Sequence, residues 1–164
     1  MALDDYDKGL SILQQILNEV RKRYGYSDHR VSIILNNIGI CHYEFGGLLA
    51  SLKSFEESVE ILQEAIQKSS KGDANFAYLS IHLGRSVHNL AFIRFKRKEY
   101  DEAILALQIS LASYRNALGD KHKTVKRAIE DLAFVMATAN CLDSNDTLDR
   151  MTEMYIEMLG SKTR

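Results

Sequence analysis

The 164-residue chain contains no proline and no tryptophan, and its nine glycines are scattered. Sandwiches and barrels use proline and glycine for turns about every 8 to 12 residues. Their scarcity excludes those folds and leaves an all-α chain. Two cysteines, Cys41 and Cys141, are too few to staple a secreted framework and point to a reducing, cytoplasmic compartment. No apolar run approaches the roughly 18 residues of a membrane span. The start, Met-Ala-Leu-Asp-Asp-Tyr-Asp, lacks the basic flank and apolar stretch of a secretory signal. An excess of one charge is missing too. With 21 basic and 22 acidic residues the net charge is −1, so neither nucleic acid nor membrane insertion is expected.

What is present is apolar periodicity. Leu10, Leu13, Ile16, Leu17 and Val20 recur at helical spacing, as do Leu48, Leu52, Phe55, Val59, Leu62 and Ile66, and then Ile104, Leu107, Leu111 and Tyr114. Breaks at residues 25–28, 46–47, 71–73, 98–99, 119–120 and 143–146 predict about seven helices. They span roughly 4–24, 29–45, 48–69, 75–97, 100–118, 122–140 and 146–159.

One helix pattern occurs four times. Tyr6, Gly9, Leu13 and Leu17 step by 3, 4 and 4 residues, and so do Leu48, Ser51, Phe55 and Val59; Tyr100, Ala103, Leu107 and Leu111; and Leu148, Met151, Tyr155 and Leu159. A second pattern alternates with it, a large apolar residue just before a small one: Ile38-Gly39, Leu90-Ala91 and Leu132-Ala133. The small residue permits close approach of a neighbouring helix. From Gly39 to Ala91 the interval is 52 residues and from Ala91 to Ala133 it is 42, a period that implies a stacked solenoid with one lengthened copy.

The unit resembles the tetratricopeptide repeat. The segments starting Tyr6-Asp-Lys-Gly and Tyr100-Asp-Glu-Ala are similar to its second helix, and Leu35-Asn-Asn-Ile-Gly to its first. The linkers 24–29 and 118–122 are similar to those of the 42-residue repeats of kinesin light chains. The chain departs from that pattern in lacking proline after His29 and His122, in Met151 at a small position, and in an insert over 67–80. The resemblance implies a right-handed α-solenoid of stacked antiparallel helix pairs. A single domain over 1–164 then has a leading second helix at 4–24 and pairs at about 29–70, 75–118 and 122–159. The leading helix lacks its first-helix partner, so a fragment or domain of a longer protein is expected.

A solenoid of this kind lines its groove with the first helix of each pair, and the resemblance implies a protein or peptide partner there. With the small residues turned inward, the groove side carries Asn36, Ile40, Tyr43 and Glu44, then His88, Phe92, Phe95 and Lys96 with Arg85 a turn earlier. The third pair gives Glu130, Phe134, Ala137 and Thr138, with Arg127 a turn earlier. Asn36, Asn37 and Asn89 match the family's asparagines that bond a ligand backbone. The binding set is thus Asn36, Asn37, Tyr43, Arg85, His88, Asn89, Phe92, Lys96, Arg127 and Phe134, suited to a peptide with acidic and apolar residues. A permanent structural or regulatory subunit or domain of a larger assembly, its groove filled by the chain's own flank and its aromatic residues buried at a stable interface, is the alternative reading.

Chemistry finds little support in the residues. Cys41 and His42 are adjacent and point about 100° apart on a helix, too divergent for a thiolate and its base. His29, His42, His82, His88 and His122 never recur at the spacing that presents two imidazoles to one metal. No phosphate loop, nucleophile elbow or dinucleotide turn occurs, so no catalytic residue, cofactor or metal is expected. A phosphotransfer module built on His88 or His42 leaves the fourfold repetition unexplained. Glu56, Glu57, Asp101 and Glu102 read as solvated charge, and His29 and His122 as hydrogen-bonders at helix starts.

Overall fold

The computed structural model describes residues 2–70 and 74–142, and among them every regular element is a helix. In chain order these are α1 (Ala2–Tyr24), α2 (His29–Glu44), α3 (Leu48–Gln67), α4 (Ala74–Lys96), α5 (Tyr100–Leu118) and α6 (Lys123–Leu142). The seventh expected helix, over 146–159 with Met151, lies outside the described residues, as does residue 71–73 of the insert. None of the described helices is long and apolar enough to cross a membrane.

Local chemistry sets the ends. Asp28 caps α2 by accepting the Arg30 N–H at 2.9 Å, so the helix-start role expected of His29 belongs to its neighbour. His29 instead meets the Tyr78 ring edge-on, 5.8 Å between centroids. His122 does serve the start of α6, its Nδ1 accepting the Thr124 N–H at 3.2 Å. Gly119 ends α5 at φ 77°, a region that side chains other than glycine enter at a cost, although Lys98 enters it at φ 65° between α4 and α5. Much of the lengthened repeat goes into α4, which has 23 residues against 16 in α2.

Each helix packs on the next in the chain, and α2 also touches α4, the arrangement of a solenoid. Its antiparallel sense is visible in two hydrogen bonds. Ser51 Oγ donates to the Gly39 carbonyl at 2.7 Å and Ser58 Oγ to the Ser32 carbonyl at 2.9 Å. Residue numbers rise along α3 as they fall along α2. Gly39 is small because the Phe55 ring lies over it, and a Cβ there would come within 2.6 Å of the ring. Gly84, which the repeat pattern does not single out, lies in the same way beneath Tyr114, at 2.7 Å. Ala91 and Ala103 are fully buried at the α4/α5 contact, while Ala133 is only half-buried.

Two apolar clusters form the core. Leu17, Val31, Leu35, Ile38 and Ile61 join α1, α2 and α3. A larger set including Phe55, Leu62, Leu79, Val87, Leu107 and Leu132 runs through α3 to α6. Each fully buried Leu, Ile or Phe contributes about 1.5–3 kcal/mol relative to exposure. Ion pairs cross between helices at the rim: Arg21 of α1 with Glu57 of α3, both second helices, and Arg94 of α4 with Glu56 of α3 at 3.6 Å. The two glutamates expected to be merely solvated are therefore engaged across helix boundaries.

Candidate groove on the first helices

The first helices α2, α4 and α6 carry the candidate residues, and the helical repeat decides which of them are available. Ala91 is 1% exposed, while Phe92, one residue on, is 42% exposed. Val135 is buried beside Phe134, which is 62% exposed. Asn37, Arg85, Lys96 and Arg127 are exposed, whereas Tyr43, His88 and Asn89 are half-buried.

Aromatic rings bridge the helices. Tyr43 on α2 meets Phe92 on α4 edge-on with centroids 5.2 Å apart, and Phe95 on α4 meets Phe134 on α6 at 5.8 Å. Lys96 Nζ stands 5.2 Å above the Phe92 ring, a cation–π contact. Between α4 and α6 a pocket of about 220 Å³ is walled by Phe92, Phe95, Phe134 and Val135, with Leu107 of α5 also lining it. Next to it, sharing His88 and Arg127, a more polar pocket of about 520 Å³ also takes in Asn89, Tyr114, Lys123 and Thr124.

His88 holds the junction of the two pockets. Its Nε2 lies 3.3 Å from Asp131 Oδ2, and Arg127 Nε approaches the same oxygen at 3.9 Å. Burial pushes the His88 pKa below the usual imidazole value and Arg127 adds to this, while Asp131 opposes it. The ring is neutral at neutral pH. Its Nδ1 is buried with no hydrogen-bond partner among the described residues.

One expected site residue is displaced. Asn36 is 4% exposed and belongs to a buried polar seam that joins α2, α3 and α4. Its Oδ1 accepts the Asn89 amide N–H at 3.0 Å. Ser58 and Ser86 hydroxyls lie 2.8 Å apart beside it, and the Ser58 proton is already given to the Ser32 carbonyl. Ser86 is then the donor to Ser58, although its oxygen also lies 3.4 Å from Asn36 Oδ1. A residue facing inward at α2 and bonded there has no amide to offer a groove ligand, and Asn89 gives it one of its two protons. Asn37, one position along, is the asparagine of this pair that faces out.

The other candidates for chemistry stay apart. Cys41 is half-buried, its thiol pKa raised by burial, and His42 Nδ1 lies 3.1 Å from the Tyr6 hydroxyl instead. Among the described residues no three His, Cys, Asp or Glu side chains are placed to hold a metal ion. Asp131 was not singled out by sequence reasoning, and it sits 43 positions from His88, a separation that no local pattern reveals. Lys123 and Thr124 escaped it as residues of a helix start.

Antiparallel helix pairs with alternating small and large contacts define a stacked helical-repeat protein. The tetratricopeptide repeat family model matches residues 1–64 and a second model of the same description matches 83–122. Together these cover more than half of the chain, which belongs to the tetratricopeptide repeat family. The crystal structure of BtubC (BKLC) from P. vanneervenii has a similar fold, with a TM-score of 0.64 at 15% sequence identity. The likeness covers 98% of this chain and 61% of BtubC, so the chain spans about three-fifths of that protein's length. No curated protein matches the chain. Tetratricopeptide repeats are in general non-catalytic scaffolds for protein–protein interaction, and they imply protein partners.

Proposed function

We propose that this chain is a non-catalytic scaffold that binds an extended or helical peptide segment of a partner protein along α2, α4 and α6. The observation that carries this reading is the line of partly exposed rings, Tyr43, Phe92, Phe95 and Phe134, which crosses three first helices beside Arg85, Lys96 and Arg127. Large apolar residues exposed together and rimmed by charge are the usual mark of an interaction surface. The pocket of about 220 Å³ fits one apolar side chain, and the exposed guanidinium of Arg127 at its mouth suits an acidic neighbour.

The test is a selection of peptides from a displayed random library, followed by affinity measurement of the winners. Binders with an apolar anchor next to Asp or Glu are expected, with affinity falling about tenfold or more for Phe92→Ala or Arg127→Ala. The Ile12→Lys variant, altered on α1, binds as the parent does. Peptides indifferent to Phe92 and Arg127 would overturn the groove assignment. A surface that selects no peptide supports instead a broad, permanent interface with a folded subunit.

A further inference from the structure

The larger of the two pockets, about 520 Å³, lies where α4, α5 and α6 meet, and the charge of its walls is one-sided. Lys123 and Arg127, four residues apart on α6 and both exposed, bring two cations to it. No aspartate or glutamate among the described residues lines it. Arg85, which precedes His88 and Asn89 by three and four residues on α4, stands close enough that it and Arg127 both act on the Tyr114 phenol. His88 adds no charge, because burial keeps its ring neutral at neutral pH. The carboxylates on either side do not offset the excess. Asp120, just before α6, is engaged by Arg115 at 3.2 Å, and Glu130 lines neither pocket. Asp131 belongs to the apolar pocket, 3.3 Å from His88 and 3.9 Å from Arg127.

Folding gains little from cations in this place. Like charges four residues apart on a helix repel, and Lys123 and Arg127 stand near the positive end of the α6 dipole, with no acid in its first turn. Elsewhere the chain follows the dipole: α5 opens with Asp101 and Glu102, while α1 closes with Arg21, Lys22 and Arg23, and α4 with Arg94 and Lys96. A local rule broken at the wall of a pocket marks a ligand that supplies the missing charge. The other walls offer donors. Thr124 contributes a hydroxyl, and Tyr114 keeps its phenolic proton because burial raises its pKa. Asn89 has one amide proton left after bonding Asn36 Oδ1.

We propose that this pocket holds a phosphate monoester, the phosphorylated serine or threonine of the segment bound along α2, α4 and α6, an assignment that rests on the groove reading above. A phosphoryl group carries about 1.5 to 2 negative charges at neutral pH and three strong acceptor oxygens. The Arg127 guanidinium can grip two of those oxygens at once while the Lys123 ammonium neutralises the remaining charge. A carboxylate supplies a single charge and leaves one of the two cations unmatched. The pocket shares His88 and Arg127 with the apolar one, so the phosphorylated residue lies near the apolar anchor in the bound sequence. Phosphorylation of the partner then decides whether the scaffold engages it.

Three synthetic peptide libraries, with random flanks around a fixed phosphoserine, glutamate or serine, test this on the whole chain. The best phosphoserine peptides bind about a hundredfold more tightly than their serine forms and about tenfold more tightly than their glutamate forms. Lys123→Met lowers phosphoserine affinity about tenfold or more and leaves the serine form unchanged, whereas Phe92→Ala weakens both forms alike. Lys123 is exposed, so the variant keeps the parent's circular dichroism spectrum. Glutamate forms that bind as well as phosphoserine forms, with Phe92 still required, overturn the phosphate assignment and leave the groove standing. A phosphoserine preference that survives Lys123→Met places the phosphate elsewhere and overturns it too. If no library yields a binder, the groove reading falls and this inference with it, even where phenyl phosphate alone shifts the Thr124 amide resonance and so reveals a free ester as the occupant.

Discussion

Alanine placed at three helical glycines should change stability in opposite directions, and the sign follows from what each new Cβ meets. In a helix interior, replacing glycine by alanine gains about 0.5–1 kcal/mol through the unfolded chain's lost freedom. At Gly9 nothing lies within 4 Å, so Gly9→Ala keeps the whole gain. At Gly39 the Cβ falls 2.6, 2.8 and 2.9 Å from three atoms of the Phe55 ring, and Phe55 is 2% exposed. The ring must retreat by about 1 Å to reach ordinary carbon contact, inside a packed core. Overpacking of this kind costs about 1–3 kcal/mol, leaving a net loss of up to about 2.5 kcal/mol. Gly84→Ala meets Tyr114 at 2.7 Å, but that ring borders the pocket of about 520 Å³ and has room to swing, so its loss is the smaller. Thermal melts followed by circular dichroism resolve this, since 1 kcal/mol moves the Tm of a domain this size by about 2–4 °C. Gly9→Ala raises the Tm and Gly39→Ala lowers it. In a Phe55→Leu background the cost of Gly39→Ala shrinks by about 1 kcal/mol or more. Gains of equal size at Gly9 and Gly39 would refute the packing argument.

Asn36→Ala removes the acceptor of Asn89 in a buried seam and costs about 1–3 kcal/mol in urea unfolding, while Asn37→Ala on the exposed side stays within about 0.5 kcal/mol. Ala91→Leu and Ala103→Leu force bulk into fully buried contacts and each cost about 1–3 kcal/mol; an unmoved melt would show the register of α4 on α5 to be wrong. His88 and His82 have pKa values lowered chiefly by burial, so the unfolded chain binds more protons than the fold once the pH drops below about 6.5. Their contribution is complete above that pH and is lost as the pH falls toward the lowered folded values. His88→Gln removes its share of this acid sensitivity, leaving that of His82; an unchanged pH slope in chemical denaturation would show that His88 is not desolvated as described.

The helices and their pairing were legible because periodicity and small-residue spacing are local signals. Gly39 announces its role by following Ile38 as Ala91 follows Leu90. The polar seam was not legible in that way. Asn36 and Asn89 carry amides that suit a ligand as well as each other, and only the packing of α2 against α4 brings them to 3.0 Å. The buried serines of α3 did leave a trace: Ser51 and Ser58, of which Ser58 belongs to the seam, stand seven residues apart on the apolar side of α3, where an exposed serine has no place. Gly84 beneath Tyr114 and Asp131 beside His88 depend on separations of 30 and 43 residues, which no window on one helix spans.

The groove and the core are separated by single residues, and this decides how recognition and stability can be told apart. On α4, Ala91 is 1% exposed and Phe92 42%; on α2, Asn36 is 4% exposed and Asn37 lies in solvent. Adjacent helical residues point about 100° apart, so each such couple divides packing from contact without any change of element. Phe92 and Phe134 hold large rings at the surface where smaller or polar side chains would satisfy the fold, and the core contacts of their neighbours do not depend on them. Phe92→Ala therefore lowers peptide affinity with little effect on the melt, whereas Ala91→Leu lowers the melt first. Loss of both properties in both variants would mean that the groove rings are part of the core, and that the exposed line from Tyr43 to Phe134 is a packing remnant instead of a binding surface.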